Sequence, residues 1–551
     1  MPNDLPQRKS LIQSRALGMR QHYRRPAEVA QDVETLKASR YNIPIKISEG
    51  GTLLFNSSSR ALSVLDADET EMYHALEAGN ASSLSSDKVQ GFAAGLRTDG
   101  FLLPLDYDEK EAFRDMYMAE RQSKQTMLLT IAPTMACNFA CGYCFQGLDK
   151  DLKKIGPKVP DGIFDFVASH ADQLNNLTVC WFGGEPLMSK DAIYALSDRL
   201  IALCDKKGIG YSASIVTNGY FLDAATAQKL WTRRCSMAQI TVDGGKSSHD
   251  KARPLTSGRG TYDVIMKNIG EVLDETPFEI QIRVNVGRDN VDGCSDMLDH
   301  FVSEKYAERG SFSVNFAQLE ASTAESGTAF EEGLSKADFN RLVIGLGDRA
   351  REAGLAGVMQ APGGIMGLCI AARDLGYLIS ANGDVHKCWE TAHDPTKRIG
   401  TVFKPDELND SLNAKLWDAW KPFDNPVCDS CKIAPMCGGA CAHRFIYQGA
   451  GDEHALPCPD WKWNTAEYLF SRAVSLGVIS EDRWIESEST AQAEQSGQRH
   501  TAETLLEAQK VVLEKVNANR LDAVDRSFLF EGDGRFFEAE SKLQTSAKSD
   551  A

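Results

Sequence analysis

The chain reads as α/β, with a partial (β/α)6 barrel set between a small α+β module and a loop-rich, cysteine-dense region. Three observations predict this. Six strand-like runs alternate with helical patterns between residues 127 and 354, the pattern of βαβ units around a parallel sheet. Their connections are short, and such sheets present ligands at the carboxyl ends of their strands. Beyond about Met359 the periodicity fades, while cysteine, glycine and proline become denser.

In chain order, residues 1–39 lack the continuous apolar core of a secretory signal and read as a mobile basic arm rather than a transit peptide. The expected compartment is therefore reducing and cytoplasmic, with cysteines serving metals rather than disulfides. Residues 40–122 form a winged-helix-like α+β module. It has β-like stretches at 44–49 and 51–56, helical patterns at 67–79 and 85–103, and a hydrophobic end that suits a wing strand. The barrel spans 123–355. Its strands are expected at 127–133, 177–184, 211–219, 237–245, 278–286 and 311–319, with helices at 161–174, 191–208, 223–234, 261–275 and 336–354. Residues 356–475 form the cysteine-dense domain. In the remaining tail, 476–551, the polar stretch 487–498 reads as a linker, 501–524 as a helix and SFLFEGDGRFFE (527–538) as a hairpin.

At 551 residues the chain exceeds one ordinary domain, since domains run to about 150 residues. Hydrophobic residues at 42% and charged residues at 25% exclude collagen, rods and wholesale disorder. No apolar run approaches the roughly 20 residues that span a bilayer, so no membrane is expected. Lys plus Arg total 60 against 77 Asp plus Glu, a net charge of -17 that disfavours nucleic acid.

The informative residues are the 14 cysteines. Cys137, Cys141 and Cys144 stand as C-x3-C-x2-C directly after the first barrel strand, on its ligand face. Three thiolates on one loop suit three irons of a [4Fe–4S] cube and leave the fourth open. Zinc would want a fourth protein ligand nearby, and none is evident. Three buried thiols or a zinc knuckle is the bland alternative. Cys180, Cys204, Cys235 and Cys294 fall outside any such pattern and read as small buried hydrophobes.

With Tyr143 ahead of its last cysteine, this loop resembles that of the radical S-adenosylmethionine (SAM) enzymes, whose fold is a partial TIM-like barrel. Gly183-Gly184-Glu185-Pro186 after the second strand is similar to the family's motif for the SAM amino group. Glycines let a backbone approach a ligand, and Glu185 can accept from an ammonium. By the same resemblance, Thr217 and Asn218 after strand three, and Thr241 and Asp243 after strand four, face the ribose and methionyl parts. Arg283 on strand five suits the SAM carboxylate, with a structural ion pair as its alternative. His249, Asp250 and Arg253 in SSHDKARP recur in peptide-modifying members. His249 and Asp250 are acid–base candidates, with helix capping and loop bracing as the competing roles.

The second constellation runs Cys369, Gly383, Cys388, Cys428, Cys431, Cys437, Cys441 and Cys458. It resembles the SPASM extension, which holds two auxiliary clusters. The resemblance implies Cys428, Cys431, Cys437 and Cys458 on an outer [4Fe–4S] cluster, and Cys369, Cys388 and Cys441 on an inner one. Two structural zinc sites are the rival reading. The fourth inner ligand is left open between a side chain such as His386, a remaining cysteine and a site for substrate.

The resemblance implies reductive cleavage of SAM to a 5′-deoxyadenosyl radical, hydrogen abstraction from a substrate, and a reducing partner such as flavodoxin or ferredoxin. It favours a radical SAM oxidoreductase that matures a ribosomal precursor peptide (RiPP) by a thioether or carbon–carbon cross-link. Residues 40–122 would then recognise the peptide. The nearest rival is an anaerobic sulfatase maturase, which carries an aspartate as proposed base immediately after the second SPASM cysteine. This sequence has Trp389 and then Glu390, itself an acid–base candidate. A non-catalytic iron–sulfur or zinc scaffold, or an electron carrier, is the alternative from another class.

Overall fold

A computed structural model describes residues 35–80, 87–149, 152–309, 311–323, 325–355, 368–447, 457–485 and 502–518. The basic arm to residue 34, the 487–498 linker and the 527–538 hairpin lie outside these residues.

Strand β1 (Leu36–Ala38) lies in the span the sequence reads as an arm. It pairs antiparallel with a later strand, β5. Strands β2 (Asn42–Lys46), β3 (Thr52–Asn56) and β4 (Leu62–Leu65) form an antiparallel sheet. Helix α1 (Ala67–Glu77) starts at a capping box of Asp66 and Glu69, which satisfies two end N–H groups. Helix α2 (Asp87–Thr98) and β5 (Leu102–Pro104) complete the module. Every residue of β3 is buried. Leu54 faces the module's own core with Tyr73, Phe92 and Phe101. Leu53 and Phe55 join the main core. The module is therefore packed onto the body of the protein, and α3 (Glu109–Arg121) leads from it into the barrel.

The barrel strands are β6 (Thr126–Ile131), β7 (Asn176–Trp181), β8 (Gly210–Thr217), β9 (Cys235–Thr241), β10 (Glu279–Val286) and β11 (Phe312–Gln318). All six pair in parallel and in chain order. The helices between and after them are α4 (Val159–His170), α5 (Lys190–Lys207), α6 (Ala224–Trp231), α7 (Lys246–Ala252), α8 (Tyr262–Glu275), α9 (Val291–Ser303), α10 (Tyr306–Arg309), α11 (Ala329–Glu332) and α12 (Lys336–Glu352). The strands alternate as period-two geometry demands. Leu177, Val179, Trp181, Ile282 and Val284 are fully buried. The opposite face carries Ser214, Gln239 and Arg283, small or polar and partly accessible. That face leaves room for a ligand.

The cysteine-dense region extends this sheet, which its fading periodicity did not predict. β12 (Gly376–Ile379) pairs parallel with β6, and β13 (Asp384–His386) and β14 (Gly400–Thr401) follow antiparallel. Strands of two to four residues are too short for alternation to register in sequence. Short helices carry the rest: α13 (Leu412–Ala419), α14 (Pro426–Asp429), α15 (Ala434–Cys437), α16 (Ala442–Tyr447) and α17 (Thr465–Ser475). The tail helix α18 (Ala502–Ala518) packs on α13 and α16, burying Leu505, Val512 and Val516. Among the described residues no helix is long and apolar enough to cross a membrane.

Candidate functional site

Cys137, Cys141 and Cys144 lie on the loop that leaves β6, and the segments after four other strands hold that loop, three through its backbone and one through a side chain. After β7, Gly184 N donates to Thr134 O (3.1 Å) and Glu185 N to Ala136 O (2.8 Å). After β8, Asn218 Nδ2 donates to Asn138 Oδ1 (2.8 Å). After β9, Ala140 N donates to Pro254 O and Thr256 N to Asn138 O, both at 2.9 Å. After β11, Thr328 N donates to Gly142 O (3.2 Å). The glycines of the Gly183–Pro186 motif have a reason that sequence reasoning assigned elsewhere. A Cβ on Gly183, whose φ is +134°, would stand 2.2 Å from Thr134 O, and one on Gly184 2.2 Å from Met135 O. They admit the cysteine loop itself.

Glu185 is fully buried. Its Oε1 accepts from Leu187 N (2.9 Å) and Thr217 Oγ1 (2.8 Å), and its Oε2 from Asn218 N (2.7 Å) and Thr217 Oγ1 (3.0 Å). Four contacts use the acceptor positions of a carboxylate. The side chain thus clamps β7 to β8, and Pro186 opens the turn it caps. Burial pushes the Glu185 carboxyl up to about 7, against the pull of its donors on Asn218, Leu187 and Thr217.

A buried polar knot lies beside the loop. The Tyr143 hydroxyl donates to Asp243 Oδ2 and accepts from Arg253 Nη1 (2.5 Å) and Asn285 Nδ2 (3.4 Å). Asp243 Oδ1 accepts from Asn285 N (2.8 Å). Arg253 stands 3.8 Å from Asp243 and lies over the Phe139 ring. Burial raises the Tyr143 phenol well above its ordinary range. Thr241 sits beside Arg283 in the β9–β10 register, and Arg283 Nε donates to Asn285 Oδ1 (2.9 Å).

Two acid–base candidates are used for bracing. His249 Nδ1 accepts from Asp243 N (3.2 Å), so Nε2 carries the proton and donates to Thr261 Oγ1 (3.1 Å). Burial, then the nearby Arg253 charge, holds this imidazole neutral, well below its usual range. Asp250 accepts from Thr261 N and Tyr262 N at the start of α8 (2.7 and 2.9 Å).

The other seven cysteines gather in two groups. Burial raises the Cys428 thiol well above its ordinary range, with Cys437, Cys458 and Cys431 adding to the rise. Cys388 is likewise raised by burial, then by Cys441, Glu390 and Cys369. His386 is buried on β13 and influenced by Asp384, Asp394, His393 and Arg398. The neighbouring Lys387 donates to Arg373 O and rests on the Tyr377 ring. Cys204, Cys235 and Cys294 are buried in the barrel, whereas Cys180 is half-buried.

Trp389 and Glu390 diverge. Trp389 stacks on Phe182 (centroids 4.7 Å) and donates to Thr130 Oγ1 on β6 (2.8 Å), tying the cysteine-dense region to the barrel. Glu390 is half-buried, accepts from Ser322 Oγ (2.5 Å), and is raised by burial against the pull of Ser322, Arg444 and Arg283. Its partner Ser322 lies on the stretch that follows β11. Glu320, just past β11, holds Arg444 Nη1 at 2.9 Å and Lys336 at 2.7 Å.

The donor sets fit iron–sulfur clusters with an amino-acid cofactor. Among the described residues, no three His, Cys, Asp or Glu side chains converge as ligands of a single ion. Cube cysteines each bind a different iron, so they need not meet at one point. Crowded buried thiols repel one another as thiolates, a penalty that bound iron reverses. Around the barrel loop three buried atoms have no hydrogen-bond partner: the acceptor Gln146 Oε1 and the donors Asn138 Nδ2 and Arg253 Nε. A ligand with both ammonium and carboxylate suits such a mixed set. Sequence reasoning missed Gln146, Asn138 and Asn285. Asn138 stands inside the cysteine motif, Gln146 two residues past it, and Asn285 two residues from Arg283, on the same strand face.

Among known proteins, the chain is similar to the serine-type anaerobic sulfatase-maturating enzyme of Klebsiella aerogenes, 24% identical over 38% of this chain and 50% of that one. The Klebsiella pneumoniae enzyme of that description is 23% identical over 56% of this chain and 79% of its own length. The chain thus spans about half of the first relative and about four fifths of the second. A solved structure of native anSMEcpe with bound AdoMet and Cp18Cys peptide aligns at 17% identity and a TM-score of 0.49, covering 64% of this chain and 98% of that one. Residues 131–287 match the profile of the Radical SAM superfamily. The barrel segment built around Cys137, Cys141 and Cys144 is therefore a radical SAM domain.

Proposed function

We propose that the chain is a radical SAM maturase that installs an oxidative cross-link, thioether or carbon–carbon, in a ribosomal precursor peptide. The observation that carries this reading is the gathering of ten cysteines into three separate sets, one on the barrel loop and two beyond it. When bound, SAM and its [4Fe–4S] cluster supply a 5′-deoxyadenosyl radical that takes hydrogen from the substrate. Cys137, Cys141 and Cys144 hold that cluster. Gln146, Asn138 and Arg253 turn unpaired polar atoms toward its loop. Cys428, Cys431, Cys437 and Cys458 would hold an outer auxiliary [4Fe–4S] cluster, and Cys369, Cys388 and Cys441 an inner one, which would supply an electron acceptor when bound. Glu390, which interacts electrostatically with Cys388 and Arg283, is the group best set to accept the substrate's proton. The module of residues 40–122 engages the peptide, and flavodoxin or ferredoxin supplies electrons.

The test is anaerobic incubation of the reduced holoenzyme with SAM and the small peptide encoded beside its gene. The peptide should lose two hydrogens in mass per link. Deoxyadenosine formation with an unchanged peptide would overturn the reading. Formylglycine formation is the second reading, favoured by the sulfatase-maturating relatives. Against it, the residue after Cys388 is Trp389, committed to Phe182 and Thr130. A sulfatase-motif peptide containing Cys or Ser separates the two.

A further inference from the structure

The four-cysteine group contains a buried cation. Lys462 lies in the turn between Cys458 and α17 and is 2% exposed. Its ammonium stands 3.2 Å from Cys431 Sγ. The charges that act on it most are Cys458 and Cys431, followed by Cys428. Other buried cations near the cysteine sets have different partners. Arg253 faces Asp243 and Tyr143, Arg444 is held by Glu320, and Lys387 donates to Arg373 O and rests on the Tyr377 ring. Keeping an ammonium away from water is costly unless anions receive it. Here the receiving anions are cluster ligands.

We infer that Lys462 is a tuning residue of the outer auxiliary cluster, donating an N–H···S hydrogen bond to Cys431 and raising the cluster's reduction potential. The inference rests on the proposed auxiliary clusters. A reduced cluster carries one more negative charge than the oxidised one, so a fixed positive charge and a hydrogen bond to sulfur favour reduction. The effect is large because the contact is buried, where charges are weakly screened.

The test is a potentiometric titration of anaerobically purified holoenzyme, followed by electron paramagnetic resonance, in wild type, Lys462→Met and Lys462→Arg. In Lys462→Met one auxiliary cluster should become harder to reduce by tenfold or more, about 59 mV for a one-electron couple. Lys462→Arg should keep the wild-type potential, and the other two clusters should not move. An unmoved potential in Lys462→Met, or an equal shift of all clusters, overturns the inference. If the Met variant loses its iron, wild-type enzyme grown with nitrogen-15 lysine answers instead. A nitrogen coupling to one reduced auxiliary cluster supports the contact, and its absence overturns it. Wild-type holoenzyme with no auxiliary cluster signal would instead sink the reading on which the inference stands.

Discussion

The barrel site and the auxiliary region both collect cysteines, from buried Cys141, Cys428, Cys431 and Cys458 to exposed Cys369, but they are built on different supports. The barrel loop is held by backbone hydrogen bonds from the segments after three strands and a side-chain bond from a fourth, and its buried cation, Arg253, is answered by Asp243 and Tyr143. The auxiliary cysteines sit on turns and helices of four to six residues, and Lys462 faces their sulfurs. The first arrangement is held mostly by protein groups, with only Gln146 Oε1, Asn138 Nδ2 and Arg253 Nε left without a partner around the loop. The second leaves thiols and an ammonium that become complementary once iron binds. The barrel should therefore keep its shape without metal, and the auxiliary region should not.

Removing iron is the strongest way to break that comparison. Chelation should open residues 368–475 to proteolysis and hydrogen exchange while β6 to β11 stay protected. Equal loss of protection in both would refute the distinction. Within the barrel, Asp243→Ala strands the buried Arg253 and should cost about 3–5 kcal/mol. Chemical denaturation of the metal-free protein measures it, and a cost below about 1 kcal/mol would mean the pair is not the support described.

Glu185 gives the same site a pH signature. Its folded carboxyl titrates at about 7, above its unfolded value, so the folded state holds the extra proton between those two values. Its contribution to stability is greatest below the ordinary carboxylate range, declines as pH rises to about 7 and is level above that, a change of about 3 kcal/mol. Denaturation midpoints between pH 5 and 8 should show this slope in wild type and lose it in Glu185→Gln. At the junction of the two regions, Trp389→Ala removes the Phe182 stack and the Thr130 bond. It should cost about 2–3 kcal/mol, less than a fully buried tryptophan would. The smallest effect is expected at the tail, where Lys515→Ala breaks the ion pair with Asp424 that joins α18 to the auxiliary region. A partly exposed pair of this kind contributes about 0–1 kcal/mol, so a larger change in melting temperature would show that the pair does more than an ordinary surface contact.

Legibility in the sequence followed the same division. The six barrel strands were visible because each runs six to eight residues with period-two alternation, long enough to stand apart from the helices. β12 and β13 were not, although β12 lies beside β6 in the sheet, because four residues carry too little pattern. The strand β1 was missed for the same reason. At the site, the cysteine spacings and the Gly183–Pro186 motif could be read directly because their chemistry is local. The roles of His249 and Asp250 could not, since acid–base work and bracing call for the same side chains. Only the hydrogen bonds to Asp243, Thr261 and Tyr262 distinguish them.

By itself, then, the sequence determined the number of βα units and the loop that bears the first three cysteines. Those properties depend on spacing along the chain. Tertiary structure decided that Gly183 and Gly184 admit the cysteine loop, that Glu185 clamps β7 to β8, that Trp389 is a packing residue while Glu390 is not, and that Lys462 meets Cys431. Each of these joins residues far apart in sequence, where burial and the direction of a side chain select the partner and spacing carries no information about either.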